Sequence, residues 1–243
     1  MTRSTVIFDL DGVLVDSEPL WREGFRAAVA LIATSVGAEV PHLSDDELRQ
    51  YEGGRVPDTV ATLAAALFGD AIAPETLDAA VEVAITTASE LFAEHPTPIA
   101  ASVTAAEELH GRGFRLGVAS SSAPEFIHTV IARLGLTDEV EAVESAFDLA
   151  NPKPHPDVYL NVMNRLAETP EHCVAIEDSW TGVQSSLRAG LRTVWISPEP
   201  VDSLQEKVDG LFGRDAAGRG LPRPKMMYVA ELDADVVEKF SEA

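Results

Sequence analysis

Cysteine is almost absent: Cys173 is the only one in 243 residues. No intrachain disulfide can form, and an oxidising compartment is not required. Positive charge is scarce as well. The chain carries 18 Lys and Arg against 40 Asp and Glu, a formal net charge of -22. Such a surface repels nucleic acid and anionic membranes, so neither is an expected partner. Long apolar runs are missing, which excludes a membrane-spanning helix. The first residues enter a strand-like run without the basic region and apolar segment of a signal peptide. A cytoplasmic protein is expected. The six histidines are scattered, with no pair at metal-ligand spacing.

What remains is the material of a globular α/β protein, with 46% hydrophobic residues. Short apolar, β-rich runs recur at 5–10, 114–120, 173–178 and 192–197, with weaker ones at 139–145 and 225–232. Helical patterns separate them at 99–111, 123–135, 156–167, 179–189 and 232–241. This alternation predicts a Rossmann-like, doubly wound parallel sheet covered on both faces. Cys173, inside an apolar run, is expected as a buried thiol. Between Asp16 and about Pro98 the alternation stops. That Ala-rich stretch reads as helix only, at 18–36, 44–50, 56–68 and 74–94. The expected organisation is therefore a core of residues 1–15 and 98–243, interrupted by an all-helical domain at 16–97. The Gly/Pro/Arg-rich stretch 213–225 reads as a surface loop.

Ligands of parallel α/β sheets sit beyond the carboxyl ends of the strands. The polar residues there form one set. "FDLDG" gives Asp9 and Asp11, "VASSS" gives Ser120, Ser121 and Ser122, "NPKPHPDVY" gives Lys153, and "AIEDSWTG" gives Glu177 and Asp178. Crowded carboxylates repel one another, and a hard divalent cation resolves the repulsion; an all-oxygen set suits Mg²⁺. An ionised Asp9 is a nucleophile without further activation. Lys153 and Mg²⁺ would offset the charge of a phosphoryl group, and Ser120 with nearby backbone N–H groups would hold its remaining oxygens. Asp11 would protonate the leaving oxygen and then deprotonate the attacking water.

"FDLDGVLVDSE", "VASSS", "KPHPDVY" and "AIEDSWTGV", in that order, resemble the four motifs of the haloacid dehalogenase-like phosphatase superfamily. The resemblance implies Asp9 as nucleophile, Asp11 as general acid/base, and Ser120 and Lys153 as ligands of the phosphoryl group. Asp9, the backbone carbonyl of Asp11, and Asp178 would hold Mg²⁺, with Glu177 as a supporting acid. The helical stretch resembles the family's inserted cap. Within the superfamily, "DSEPLW" and "KPHPDVYL" are most similar to the sugar-phosphate phosphatases of the hexitol-phosphate and 2-deoxyglucose-6-phosphate type. The implied partner is a small phosphorylated metabolite, and the implied state a monomer.

Arg55, in "YEGGRVPDT", occupies the place of the cap's specificity loop; it reads equally as a substrate contact or as half of a surface salt bridge. Trp21 is a candidate substrate contact or a core residue. β-Phosphoglucomutases carry a histidine where Trp21 stands and a lysine in the cap, but no lysine precedes Lys153 here. The mutase reading is the alternative, weakened by that absence. The same absence disfavours phosphonoacetaldehyde hydrolysis, which needs a cap amine. The presence of Asp11 disfavours dehalogenation. A non-catalytic, phosphate-accepting module would be about half this length and would lack the helical insertion.

Overall fold

A computed structural model describes residues 4–51, 54–69, 71–197 and 225–242. Its centre is a six-stranded parallel sheet. The strands are β1 (Thr5–Phe8), β2 (Arg115–Ser120), β3 (Val140–Ser145), β4 (Cys173–Glu177), β5 (Arg192–Ile196) and β6 (Met226–Val229), in the order β3-β2-β1-β4-β5-β6. β1 pairs in parallel with β2 on one side and β4 on the other, with Phe8 opposite Val118 and Ile176. Every residue of β1 and β4 is buried, as expected of strands covered on both faces. The chain builds outward from β1 in one direction and then in the other. The reversal leaves a crevice at the carboxyl ends of β1 and its two neighbours.

The predicted strands and core helices are present, with ends that coincide or differ by at most three residues. Cys173 is fully buried, and its thiol is pushed up to about 12, first by burial and then by the charge of Glu168. Of the 213–225 loop only Lys225 falls within the described residues.

The helices that follow β1 are α1 (Glu18–Val36), α2 (Asp45–Leu48), α3 (Val56–Phe68) and α4 (Pro74–Glu94). Local chemistry sets their ends. α1 starts with Pro19 in its first turn and stops at Gly37, whose φ of 70° is the left-handed conformation that glycine adopts without strain. α2 carries a capping box between Ser44 and Glu47. The segment joins the sheet through a narrow neck. Val15 bridges Pro98 in antiparallel fashion, Asp16 N–H donates to the Thr97 carbonyl at 2.8 Å, and Ile99 N–H donates to Leu14 at 3.0 Å.

The remaining helices are α5 (Ala100–Gly111), α6 (Pro124–Leu134), α7 (Asp157–Leu166), α8 (Trp180–Arg188) and α9 (Ala234–Glu242). One apolar core runs unbroken from the sheet into the helical segment. Aromatic contacts make the join: Trp21 of α1 lies 4.7 Å, between ring centroids, from Phe126 of α6, and Phe92 of α4 lies 6.1 Å from the same ring. The helical segment therefore sits over the strand ends on a packed aromatic contact.

Candidate active site

Asp9 follows β1 directly, and its N–H donates to the Ile176 carbonyl of β4 at 2.9 Å, which holds it at the crevice. The chain then turns so tightly that Val13, Leu14 and Val15 all donate to the Leu10 carbonyl. Gly12 makes the turn with φ 74°, and the Asp178 carboxylate lies where its Cβ would be. A side chain here is excluded twice, by backbone conformation and by space. Opposite, Trp195 donates its indole N–H to the Asp178 carbonyl at 2.9 Å.

Lys153 approaches from the loop before α7. α8 fixes that loop: Ser185 donates to the His155 carbonyl at 2.5 Å and Arg188 to the Pro154 carbonyl at 2.7 Å. The ammonium is 3.0 Å from Asp9 Oδ1, 2.7 Å from Glu177 Oε1 and 3.0 Å from the Ala119 carbonyl. Its three protons thus have three acceptors. Burial opposes the charge on Lys153, but Asp9 and Glu177 outweigh it and raise its pKa above the ordinary lysine range. Tyr159, fully buried on α7, donates to the same Glu177 oxygen at 2.5 Å, and its ring centroid lies 5.3 Å from the ammonium. Burial first, then Glu177, keeps this phenol well above its usual range, so it stays a donor.

Asp11 faces a different set. Ser17 Oγ and Trp21 Nε1 both donate to Oδ1, the indole at 3.0 Å. Ser122 Oγ, at 2.6 Å, and Ser120 Oγ, at 3.2 Å, donate to Oδ2. Ser120 Oγ also accepts from Ser122 N–H at 3.0 Å.

A cavity of about 260 Å³ opens above these groups. Asp9, Asp11, Lys153 and Asp178 form its floor with Ser121 and Ser122; Trp21, Phe25, Tyr51 and Val56 of the helical segment form an apolar wall, with Glu18 beside them. The structure therefore brings Asp9, Asp11, Ser120, Ser121, Lys153, Glu177, Asp178 and Trp21 together. One placement differs from expectation, and one settles between two readings. Ser120 is wholly buried and lies beneath the cavity lining, bonded to Asp11. Arg55 does not line the cavity but forms the salt bridge that is one of its two readings. Its guanidinium spans Asp58, at 2.7 and 3.0 Å, and the carbonyls of Phe147 and Leu149, at 3.2 and 3.4 Å, so its donors join the helical segment to a core loop.

Sequence reasoning missed Ser17, Tyr159, Glu18 and Phe25. Ser17 and Tyr159 stand inside the motifs already quoted, yet nothing local reveals where their hydroxyls point.

Asp9, Glu177 and Asp178 each offer a carboxylate oxygen, all within 4.8 Å of one another. Burial first, then the charge of Glu177, holds Asp9 well above the usual carboxylate range and Asp178 at about 7; Lys153 only partly offsets this. Glu177 Oε2 is buried with no hydrogen-bond donor. Repelling hard oxygens and an orphaned carboxylate oxygen fit a divalent cation such as Mg²⁺.

A family model for haloacid dehalogenase-like hydrolases matches residues 4–190. The chain belongs to the haloacid dehalogenase-like hydrolases. It is 34% identical over 197 residues to hexitol phosphatase B of Escherichia coli, spanning 80% of this chain and 83% of that protein. It is 31% identical over 192 residues to a phosphorylated carbohydrates phosphatase of Thermotoga maritima, spanning 78% and 83% respectively. The fold of a β-phosphoglucomutase from Clostridium difficile superposes with a TM-score of 0.76 at 18% identity, over 99% of this chain and 98% of that one. The six-stranded sheet with helices on both faces is thus the hydrolase fold of this family, and the four sequence motifs lie within the matched span. No described helix is long and apolar enough to cross a membrane.

Proposed function

We propose that this hydrolase is a Mg²⁺-dependent phosphomonoesterase acting on a small phosphorylated sugar or sugar alcohol, through an aspartyl-phosphate on Asp9. The observation that carries the reading is the pairing of Asp9 with Lys153 at 3.0 Å on the floor of a cavity that Asp11 also lines. The hexitol and carbohydrate phosphatases among its relatives supply the substrate class.

Asp9 attacks phosphorus with a carboxylate oxygen, and the bond from phosphorus to the alcohol oxygen breaks. The Asp11 carboxyl gives its proton to that oxygen, so a neutral alcohol leaves. Water then attacks phosphorus, its proton passes to Asp11, and the bond between phosphorus and Asp9 breaks. Phosphate departs, and both aspartates return to their starting forms. Lys153 holds negative oxygens near Asp9 throughout, anchored from below by Glu177 and Tyr159. Ser121 and Ser122, on the floor, orient the phosphoryl group, while Ser120 supports Asp11 from beneath. Mg²⁺, held by Asp9, the Asp11 carbonyl and Asp178 with Glu177 nearby, would screen the phosphoryl charge. Residues 16–97 act as a cap that excludes bulk water, and their aromatic wall faces the sugar.

Among the described residues lining the cavity, Lys153 is the only cation. One phosphoryl group is provided for and a second is not, which favours a phosphatase over a bisphosphate-primed mutase. The test is phosphate release from a panel of sugar and hexitol phosphates with Mg²⁺. Turnover of at least one, abolished in Asp9→Asn, is expected. A protein inert on the whole panel, or an active Asp9→Asn variant, refutes the proposal.

A further inference from the structure

Trp21 sits in the second turn of α1, in the helical segment, yet its indole N–H donates to Asp11 on the opposite side of the neck. The side chain is only 6% exposed. Its ring is wedged between Phe25, 6.4 Å away and stacked, and Phe126 of α6, 4.7 Å away. Those contacts, with the burial, restrain the indole ring. The other three donors to Asp11 are hydroxyls, which rotate and can also accept. An indole N–H only donates, and here its direction is set by packing. Of the groups on Asp11, it is the one whose direction is fixed by the seating of α1 over the strand ends.

We propose that Trp21 is a positioning residue for Asp11: its N–H fixes the carboxylate plane, so that Asp11 is presented to the reacting oxygens only while α1 is seated. The inference rests on the reading of Asp11 as the proton-transfer residue and assigns Trp21 a role other than substrate wall. Leaving-group chemistry separates the two roles. p-Nitrophenolate leaves phosphorus without a proton, whereas a sugar alkoxide does not. A misplaced Asp11 therefore spares the attack of Asp9 on p-nitrophenyl phosphate but slows the attack of water that follows.

The experiment is rapid-quench kinetics on Trp21→Phe, which keeps an aromatic wall and removes the donor. With p-nitrophenyl phosphate we expect a burst of about one equivalent of nitrophenolate, then a steady state roughly tenfold slower than wild type. With a hexitol phosphate that the wild type hydrolyses, kcat falls about tenfold or more while KM stays within about threefold. In an Asp11→Asn background the same substitution changes the rate by less than about twofold. Should Trp21→Phe unfold, benzothienylalanine at position 21 keeps the bicyclic shape without the N–H, and the same burst is expected. A raised KM with kcat intact, a slower rate without a burst, or costs that add fully in the double variant would each overturn the proposal. Failure of the underlying reading shows separately, as an Asp11→Asn protein that turns over p-nitrophenyl phosphate at the wild-type rate.

Discussion

Lys153 Nζ lies 3.0 Å from Asp9 Oδ1, with only 4% of the lysine side chain and 10% of the aspartate side chain exposed. The same ammonium is 2.7 Å from Glu177, which is fully buried. One cation thus holds two carboxylates out of water, and removing it leaves both without a counter-charge. Lys153→Met is expected to cost about 3 kcal/mol of folding stability as well as activity. Denaturant titration of the variant measures this. A midpoint equal to wild type would show that the pair is neutralised by other means.

Gly12 combines a left-handed backbone with an Asp178 carboxylate lying where a Cβ would stand. The backbone term alone makes Gly12→Ala about 1–2 kcal/mol less stable. The displaced Asp178 should also weaken Mg²⁺ binding. Calorimetric titration of Mg²⁺ and a thermal melt report the two effects together, and a variant with wild-type values in both would contradict the close packing described.

Asp178 is held at about 7 and Asp9 well above the usual carboxylate range, both first by burial. The folded protein without metal therefore binds more protons than the unfolded chain between about pH 4 and pH 7, and its stability falls as pH rises through that window. Lys153, raised rather than lowered, contributes no loss until far more alkaline pH. In chelator, the melting temperature should drop between about pH 5 and pH 8. Mg²⁺, which favours the ionised carboxylates, should restore it at pH 8 and do little at pH 5. Melting temperatures in chelator that stay flat or rise over this range would refute the assignment.

Arg55 joins Asp58 to the carbonyls of Phe147 and Leu149, tying the start of α3 to the loop after β3. Arg55→Ala cuts that tie without touching the cavity floor. The expected result is a KM raised several-fold on a sugar phosphate, with kcat changed less. Arg55→Lys should not restore it, because one ammonium cannot span both the carboxylate and the two carbonyls. An unchanged KM in Arg55→Ala would mean that the tie does not hold the helical segment in place.

The strands were legible because their signal is local. β1 and β4 are buried on both faces, so their sequences are apolar throughout, and the acids at their ends stand out. The gathering of Asp9, Lys153 and Asp178 followed from one topological rule about strand ends. The helices of the inserted segment were legible from spacing and from Pro and Gly at their ends. What stayed hidden depends on side chains meeting across the fold. Arg55 finds its carbonyls 92 and 94 residues away. Tyr159 aims its hydroxyl at a carboxylate 18 residues on. Trp21 serves both a wall and a hydrogen bond, and the sequence offers no way to weigh one against the other.

The central place of β1 has a consequence for synthesis. The strand that delivers Asp9 is translated before both of its neighbours in the sheet, β2, ending at Ser120, and β4, beginning at Cys173. Until that later stretch emerges, an apolar ribbon with one bare edge waits in the nascent chain, the kind of segment that aggregates or recruits chaperones. Nascent chains stalled before Cys173 should be cut by protease near Val6–Asp9, and chains stalled well past Ile196 should resist. The residue proposed to begin the chemistry is thus translated well before the strands that shelter it.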